Sequence, residues 1–201
     1  MDLFERLEPI QERWDVLKHP FYSRWERGEL SAGELAHYAG QYRHAVVALA
    51  DAAATAGEHA EEEAAHVDLW DDFARAAGGD PEVPVAPETR ACAEAWSGCD
   101  ELESLAVLYA VESAQPAISA TKLTGLLEHY GFEESAATEY FSVHATRDVE
   151  HAADVRKKLE RRMTAADIDR LVAAAERALR GNWTLLDGVE SARHTPALEE
   201  R

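Results

Sequence analysis

Three side chains in the stretch VHATRDVEHA can hold a metal ion: His144, Asp148 and His151. Their spacing is i, i+4 and i+7, which places them on one stripe of a helix. Two imidazoles and a carboxylate on one face suit iron, manganese or zinc. A solvated polar face would show the same residue types, so other ligands in the chain have to decide. The stretch HAEEEAAHVDLW offers them. His66 follows Glu63 by three residues and Glu62 by four, and either pair sets a carboxylate beside an imidazole. That is the ligand grammar of carboxylate-bridged di-iron bundles. At most one of Glu61, Glu62 and Glu63 can face inward with His66. Glu63 is preferred, Glu62 comes next, and His59, seven residues before His66, is a weaker candidate. Leu69, Trp70 and Phe73 mark the core-facing side near His66.

The third element is Glu112, in LAVLYAVESAQPAI, the most apolar helix of the chain. A carboxylate there is costly unless it is protonated, paired or bound to a cation. With it, the chain offers Glu63, His66, Glu112, His144, Asp148 and His151. Three carboxylates and three imidazoles are the count for two metal ions, with positions left open for dioxygen or substrate. A bridging carboxylate such as Glu112 would hold the pair close.

These groups have to be positioned by helices. Alanine, leucine, glutamate and arginine dominate, and alternating strand-like runs are missing. Breaks fall at His19–Pro20, at Gly28, from Gly78 to Pro87, at Ser97–Gly98 and at Tyr130–Gly131. The pattern predicts helices at about 2–17, 20–27, 31–56, 58–77, 88–96, 100–129, 133–161 and 164–189. Ser31 with Glu34 reads as a capping box, and Asp100 and Thr164 read as caps of the helices that follow. Long helices with short links predict an all-α bundle forming one domain over residues 1–190, with a polar, frayed tail over 191–201.

Composition excludes several functions. The formal net charge of −19 over 201 residues makes nucleic acid and anionic membrane poor partners, because the phosphate contribution would be repulsive. The N-terminus is charged from its second residue, and no window is apolar enough to span a bilayer, so a cytoplasmic location is expected. Cys92 and Cys99, seven apart, fit no zinc spacing and are expected to be inert, at least partly buried thiols. Against twenty basic residues only four are lysines: Lys18, Lys122, Lys157 and Lys158.

The chain resembles the haem-oxygenase-like di-metal oxidases, in the group that also holds the TenA thiaminases and PqqC, and within it the CADD-like branch. The resemblance rests on KHPFYSRWERGELS, LAHYAGQYRHAV, EEEAAHVDLWDDFARAAGG, LYAVESAQPAISATKL and YFSVHATRDVEHA, and covers roughly residues 3–188. It implies a bundle of seven to eight helices, with metals held by Glu112, His144, Asp148, His151, His66 and a further glutamate. It implies iron and/or manganese as cofactors and dioxygen as co-substrate. It also implies para-aminobenzoate synthesis for folate, with an internal tyrosine supplying the ring and a lysine the amino group. Those positions are Tyr22, in HPFY, and Lys122, ten residues after Glu112. A spacing of ten returns Lys122 to nearly the same helix face as Glu112. Tyr140, four residues before His144, is a second oxidisable ring or a hydrogen-bond donor to the site. Val111 stands where that branch often carries another tyrosine, leaving Tyr109 as the nearest ring. A homodimer is expected by resemblance.

Two rivals follow. One is an oxidase acting on an external amino acid or fatty acid, which would not need Tyr22. The other is thiamin salvage, whose nucleophilic cysteine would fall at Ala106; neither Cys92 nor Cys99 replaces it.

Overall fold

A computed structural model describes residues 2–98 and 100–193. The described residues form α-helices α1 (Leu3–Arg13), α2 (Pro20–Glu26), α3 (Ala32–Ala56), α4 (Ala60–Ala76), α5 (Pro87–Trp96), α6 (Glu101–Glu112), α7 (Gln115–His129), α8 (Ala136–Arg162) and α9 (Ile168–Ala192). A 3₁₀ turn, Val16–Lys18, joins α1 to α2. There is no strand among the described residues, as the periodicity predicts. None of these helices is long and apolar enough to cross a membrane.

Several boundaries differ from the sequence reading, each for a local reason. The expected helix 100–129 is two helices, because Pro116 has no N–H to give to the Glu112 carbonyl and its ring crowds the preceding turn. The chain therefore breaks at Ser113–Ala114, immediately after Glu112. Helix α1 stops at Arg13 because the Asp15 side chain accepts from Leu17 N and starts a tighter turn. Thr164 does not cap α9. Its N–H and hydroxyl both donate to Asp167 Oδ2, closing a turn that delays the helix to Ile168. Helix α9 then runs on to Ala192, past the expected end. Most of the expected tail, and Cys99, lie outside the described residues.

Other signals read correctly. Ser31 and Glu34 form a reciprocal capping box, and Asp100 accepts from Glu103 N. In HPFY, His19 Nδ1 accepts from Phe21 N, and Pro20 supplies the pre-set first helical residue. This start directs Phe21, Tyr22 and Trp25 into the core. Helix α8 packs on α4, α6 and α7, and α3 packs on α4, α5 and α6. The interior between α3, α4, α6, α7 and α8 is where the candidate residues meet.

One close approach fixes α2 against α7. Trp25 Nε1–H donates to the Lys122 carbonyl at 3.2 Å, over Gly125. A Cβ at Gly125 would sit 2.6 Å from Trp25 Cδ1. Trp25 is fully buried and cannot swing away. Gly125→Ala is therefore expected to cost about 1–3 kcal/mol through overpacking, read as a lower denaturant midpoint at unchanged slope.

Candidate metal centre

Helix α8 presents Tyr140, His144, Asp148 and His151 as one buried stripe, continued by Val155 and Leu159. Helix α4 adds Glu63 and His66, and the last residue of α6 adds Glu112. All six predicted ligands are buried, at 1–4% exposure. Their donor atoms converge. One atom each from Glu63, His66 and His144 lie within 4.8 Å of one another, and so do atoms from Glu63, Glu112 and His151. Asp148 stands beside them, with Oδ1 3.8 Å from His151 Nδ1. The acid common to both groups is Glu63 rather than Glu112. This resolves the acidic triplet: Glu63 points inward, Glu61 is exposed, and Glu62 lies at the rim, 3.4 Å from His151 Nε2.

Burial and the crowding of like charges govern the electrostatics of these acids. Burial raises the Glu112 carboxyl well above its ordinary range, with Glu63 and Asp148 adding to it. Burial, then Glu63 and Glu62, pushes Asp148 up to about 8. Burial works against ionised Glu63 too, but the His66 ring beside it holds it below the usual carboxylate range. Burial and His66 push His144 down to about 4. His144 is thus a neutral imidazole, and its Nδ1 lies 2.6 Å from the Tyr140 carbonyl. A proton on Nδ1 leaves the Nε2 lone pair for a metal. Glu112 Oε2 and both Asp148 oxygens are buried and make no hydrogen bond. Such atoms are expensive when left alone and become ligands when a cation is present. The donor set therefore fits two hard or borderline divalent ions.

A second buried group adjoins this cluster. The Lys122 ammonium nitrogen is fully buried, has no hydrogen-bond partner, and is ringed by aromatic side chains. It lies 4.4 Å from the Tyr42 ring centroid, 5.4 Å from Tyr38, 5.5 Å from Trp70, 5.7 Å from Phe141 and 5.8 Å from Tyr22. Desolvation lowers its pKa to about 7. From 10.5, that fall corresponds to roughly 5 kcal/mol against the charged form. A desolvated cation–π contact returns about 2 kcal/mol, less than burial costs here, so a pKa of about 7 leaves the amine substantially neutral at physiological pH. Burial likewise pushes the Tyr22 phenol far up, partly offset by the Tyr38 hydroxyl. Tyr140 stacks on His144 at 3.9 Å between ring centroids and is fully enclosed.

Lys122 does not reach this place by sharing a helix face with Glu112, since the helix breaks between them. It is placed by the new axis of α7. Sequence reasoning gave no role to Tyr38 and Tyr42, which bring Lys122 and Tyr22 into one aromatic cage; their four-residue spacing in LAHYAGQY was the available signal. It also assigned nothing to Gln115, whose side chain interacts with the Tyr140 hydroxyl. Leu69 is only half-buried, at the edge of the face that Trp70 and Phe73 fill. Tyr109 is half-buried against Phe4, 5.0 Å between ring centroids. Cys92 is fully buried in α5, and burial drives its thiol pKa up, which makes it a packing residue.

The chain is similar to several known proteins. A 4-aminobenzoate synthase of Chlamydia muridarum is 28% identical over 212 residues, covering 93% of this chain and 89% of the relative. Another of that name, from Nitrosomonas europaea, is 29% identical over 225 residues, covering 92% and 89%. Among solved structures, a domain of unknown function with a haem-oxygenase-like fold from Shewanella denitrificans superposes with a TM-score of 0.78 at 20% identity. That match covers 100% of this chain and 98% of the other. The bundle is therefore haem-oxygenase-like, as the resemblance implied. The family model described as iron-containing redox enzyme matches residues 44–183, a span that holds α4, α6 and α8 with every candidate ligand. The chain belongs to this family of iron-containing redox enzymes.

Proposed function

We propose that the chain makes 4-aminobenzoate in a dioxygen-dependent reaction, with Tyr22 as the source of the ring and Lys122 as the source of the amino group. The observation that carries this reading is the Lys122 nitrogen: fully buried, without a hydrogen-bond partner, and 5.8 Å from the Tyr22 ring centroid. An amine kept dry and uncharged has its lone pair free to form a bond to carbon. A lysine whose only task was packing would place its charge in water. The names of the relatives support the same product.

Glu63, His66, Glu112, His144, Asp148 and His151 would hold two ions, iron or iron with manganese. Bound there, the ions would supply the oxidising power of dioxygen. The chain's own residues do the rest. His144 is held in one tautomer by the Tyr140 carbonyl, and the Tyr140 ring covers its face. Trp70, Phe141 and the tyrosines exclude water from Lys122 and Tyr22. The amino nitrogen of Lys122 displaces the phenol oxygen of Tyr22, which leaves as water, and the Cε–Nζ bond then breaks to leave an aldehyde at Cε of Lys122. The Cα–Cβ bond of Tyr22 breaks, and Cβ is oxidised to the carboxyl carbon with dioxygen as the oxidant. The chain is consumed in making one product molecule.

The experiment is to load the purified chain with iron and manganese, add reductant and air without any organic substrate, and measure 4-aminobenzoate by mass. The expected yield is at most one per chain, with Tyr22 altered in the peptide map. Absence of product with two ions bound and oxygen consumed would overturn the reading.

Metal uptake carries its own pH signature. An ion binds the carboxylate form, so protons held by Asp148 and Glu112 must leave. Acid competes below about pH 8, where Asp148 is protonated. Apparent Mn(II) affinity is expected to fall about tenfold per pH unit for each displaced proton. Calorimetry in buffers of differing ionisation enthalpy reads the protons released, and an affinity flat from pH 6 to 8 contradicts the assignment.

One observation favours a second reading, an oxidase of an external small molecule. A cavity of about 450 Å³ is lined by Trp14, Leu17, Ile118 and Asn182 and by both neighbours of Glu112, Val111 and Ser113. Its size suits a small ligand, and its lining also carries Glu12, Asp15 and Lys18. Repeated turnover in Tyr22→Phe would establish that reading in place of the first.

A further inference from the structure

His151 is the one candidate ligand with both ring nitrogens facing acids. Its Nδ1 looks inward, 3.7 Å from Glu63 Oε1 and 3.8 Å from Asp148 Oδ1. Its Nε2 looks outward, 3.4 Å from Glu62 Oε2. The His59 ring stacks on it, 4.2 Å between centroids and 18° from parallel. Donor atoms of His59, Glu62 and His151 lie within 4.8 Å of one another, a third group that could hold a cation. This group lies at the rim: the Glu62 side chain is 35% exposed and that of His59 24%, against 4% for His151.

His59 Nε2 lies 3.0 Å from Glu58 Oε1, which is itself paired with Lys158, yet that buried nitrogen makes no hydrogen bond. A buried ring nitrogen without a partner is costly and is relieved by a ligand. His59 is also the single non-glycine residue with positive φ among the described residues, at 48°.

We propose that His59, Glu62 and His151 Nε2 form an outer divalent-cation site through which ions enter the inner pair. The inference rests on the metal-centre reading above. A neutral imidazole has one lone pair, so His151 serves the outer ion through Nε2 or the inner pair through Nδ1, one at a time. An ion first captured at the rim is handed inward when the His151 proton changes nitrogen. His59 and Glu62 then release it.

The test is stopped-flow uptake of Co(II) by the metal-free chain, followed by its visible absorption. His59→Asn tolerates the left-handed turn but loses the imidazole, and it changes no negative charge, so electrostatic steering is preserved. It and Glu62→Gln are expected to reach the wild-type end point of two ions per chain, with loading slowed by at least about fivefold. In a chain with both inner donor groups disabled by Glu63→Gln and His66→Asn, one cobalt ion is expected to remain and to be lost on adding His59→Asn. Slowing of less than about fivefold, or cobalt retained in that last variant, overturns the proposal. A wild-type chain that binds fewer than two cobalt ions would instead count against the metal centre itself.

Discussion

Lys122→Arg is expected to abolish 4-aminobenzoate formation while leaving metal content intact. Arginine stays protonated far above physiological pH, leaving less than about one molecule in 10⁴ neutral at pH 8. Lysine at this position, with a pKa of about 7, is mostly neutral there. The yield should therefore fall by more than about a thousandfold, to assay background. Arginine would also bring a charge into a cage with no counter-ion, so the variant is paired with Lys122→Met. Methionine fills similar volume and removes a buried amine that bonds to nothing. It should also yield no product, yet unfold at a higher denaturant concentration than wild type. Tyr22→Phe completes the set, since it removes only a hydroxyl and keeps the packing on Phe21, 5.6 Å between centroids. If either Lys122→Arg or Tyr22→Phe makes wild-type amounts of 4-aminobenzoate, the chain is not its own substrate.

The second large effect is expected at Glu63. This carboxylate belongs to both inner donor groups and lies 3.2 Å from His66 and 3.7 Å from His151. Glu63→Gln keeps the shape and removes the charge. Loss of partners that merely orient ligands costs 10–100-fold in affinity, so losing a shared ligand should cost at least about 100-fold. Elemental analysis after desalting should fall from two ions to at most one per chain. Glu62→Gln, one residue away, should leave that end point unchanged because Glu62 stands at the rim. Equal metal content in wild type and Glu63→Gln would remove Glu63 from the centre. Equal losses in the two variants would mean that the rim and the interior are one site.

Much of this protein is readable from one dimension, for reasons of periodicity. His144, Asp148 and His151 share a stripe because 3.6 residues make a turn, and that is true of any helix containing them. The same rule selected Glu63 with His66 over Glu61. The capping box at Ser31 and the cap at Asp100 are local hydrogen bonds between near neighbours, so they too follow from the sequence. The all-α class follows from composition and the missing alternation.

What only the tertiary structure decided lies where distant segments meet. The break after Glu112 was written in Pro116, but whether the chain bends or a kinked helix continues depends on what α8 and α9 leave room for. That bend, and not helical phase, carries Lys122 into the cage of Tyr22, Tyr38 and Tyr42, residues 80 to 100 positions earlier. Its lowered pKa is a property of the cage, since desolvation is the sum of everything packed around the amine. Glu63 became the shared acid, and His151 a ligand with two faces, only when α4 was laid against α8. Spacing can nominate ligands along a helix; the distances between helices, which sequence does not contain, determine which of them share an ion.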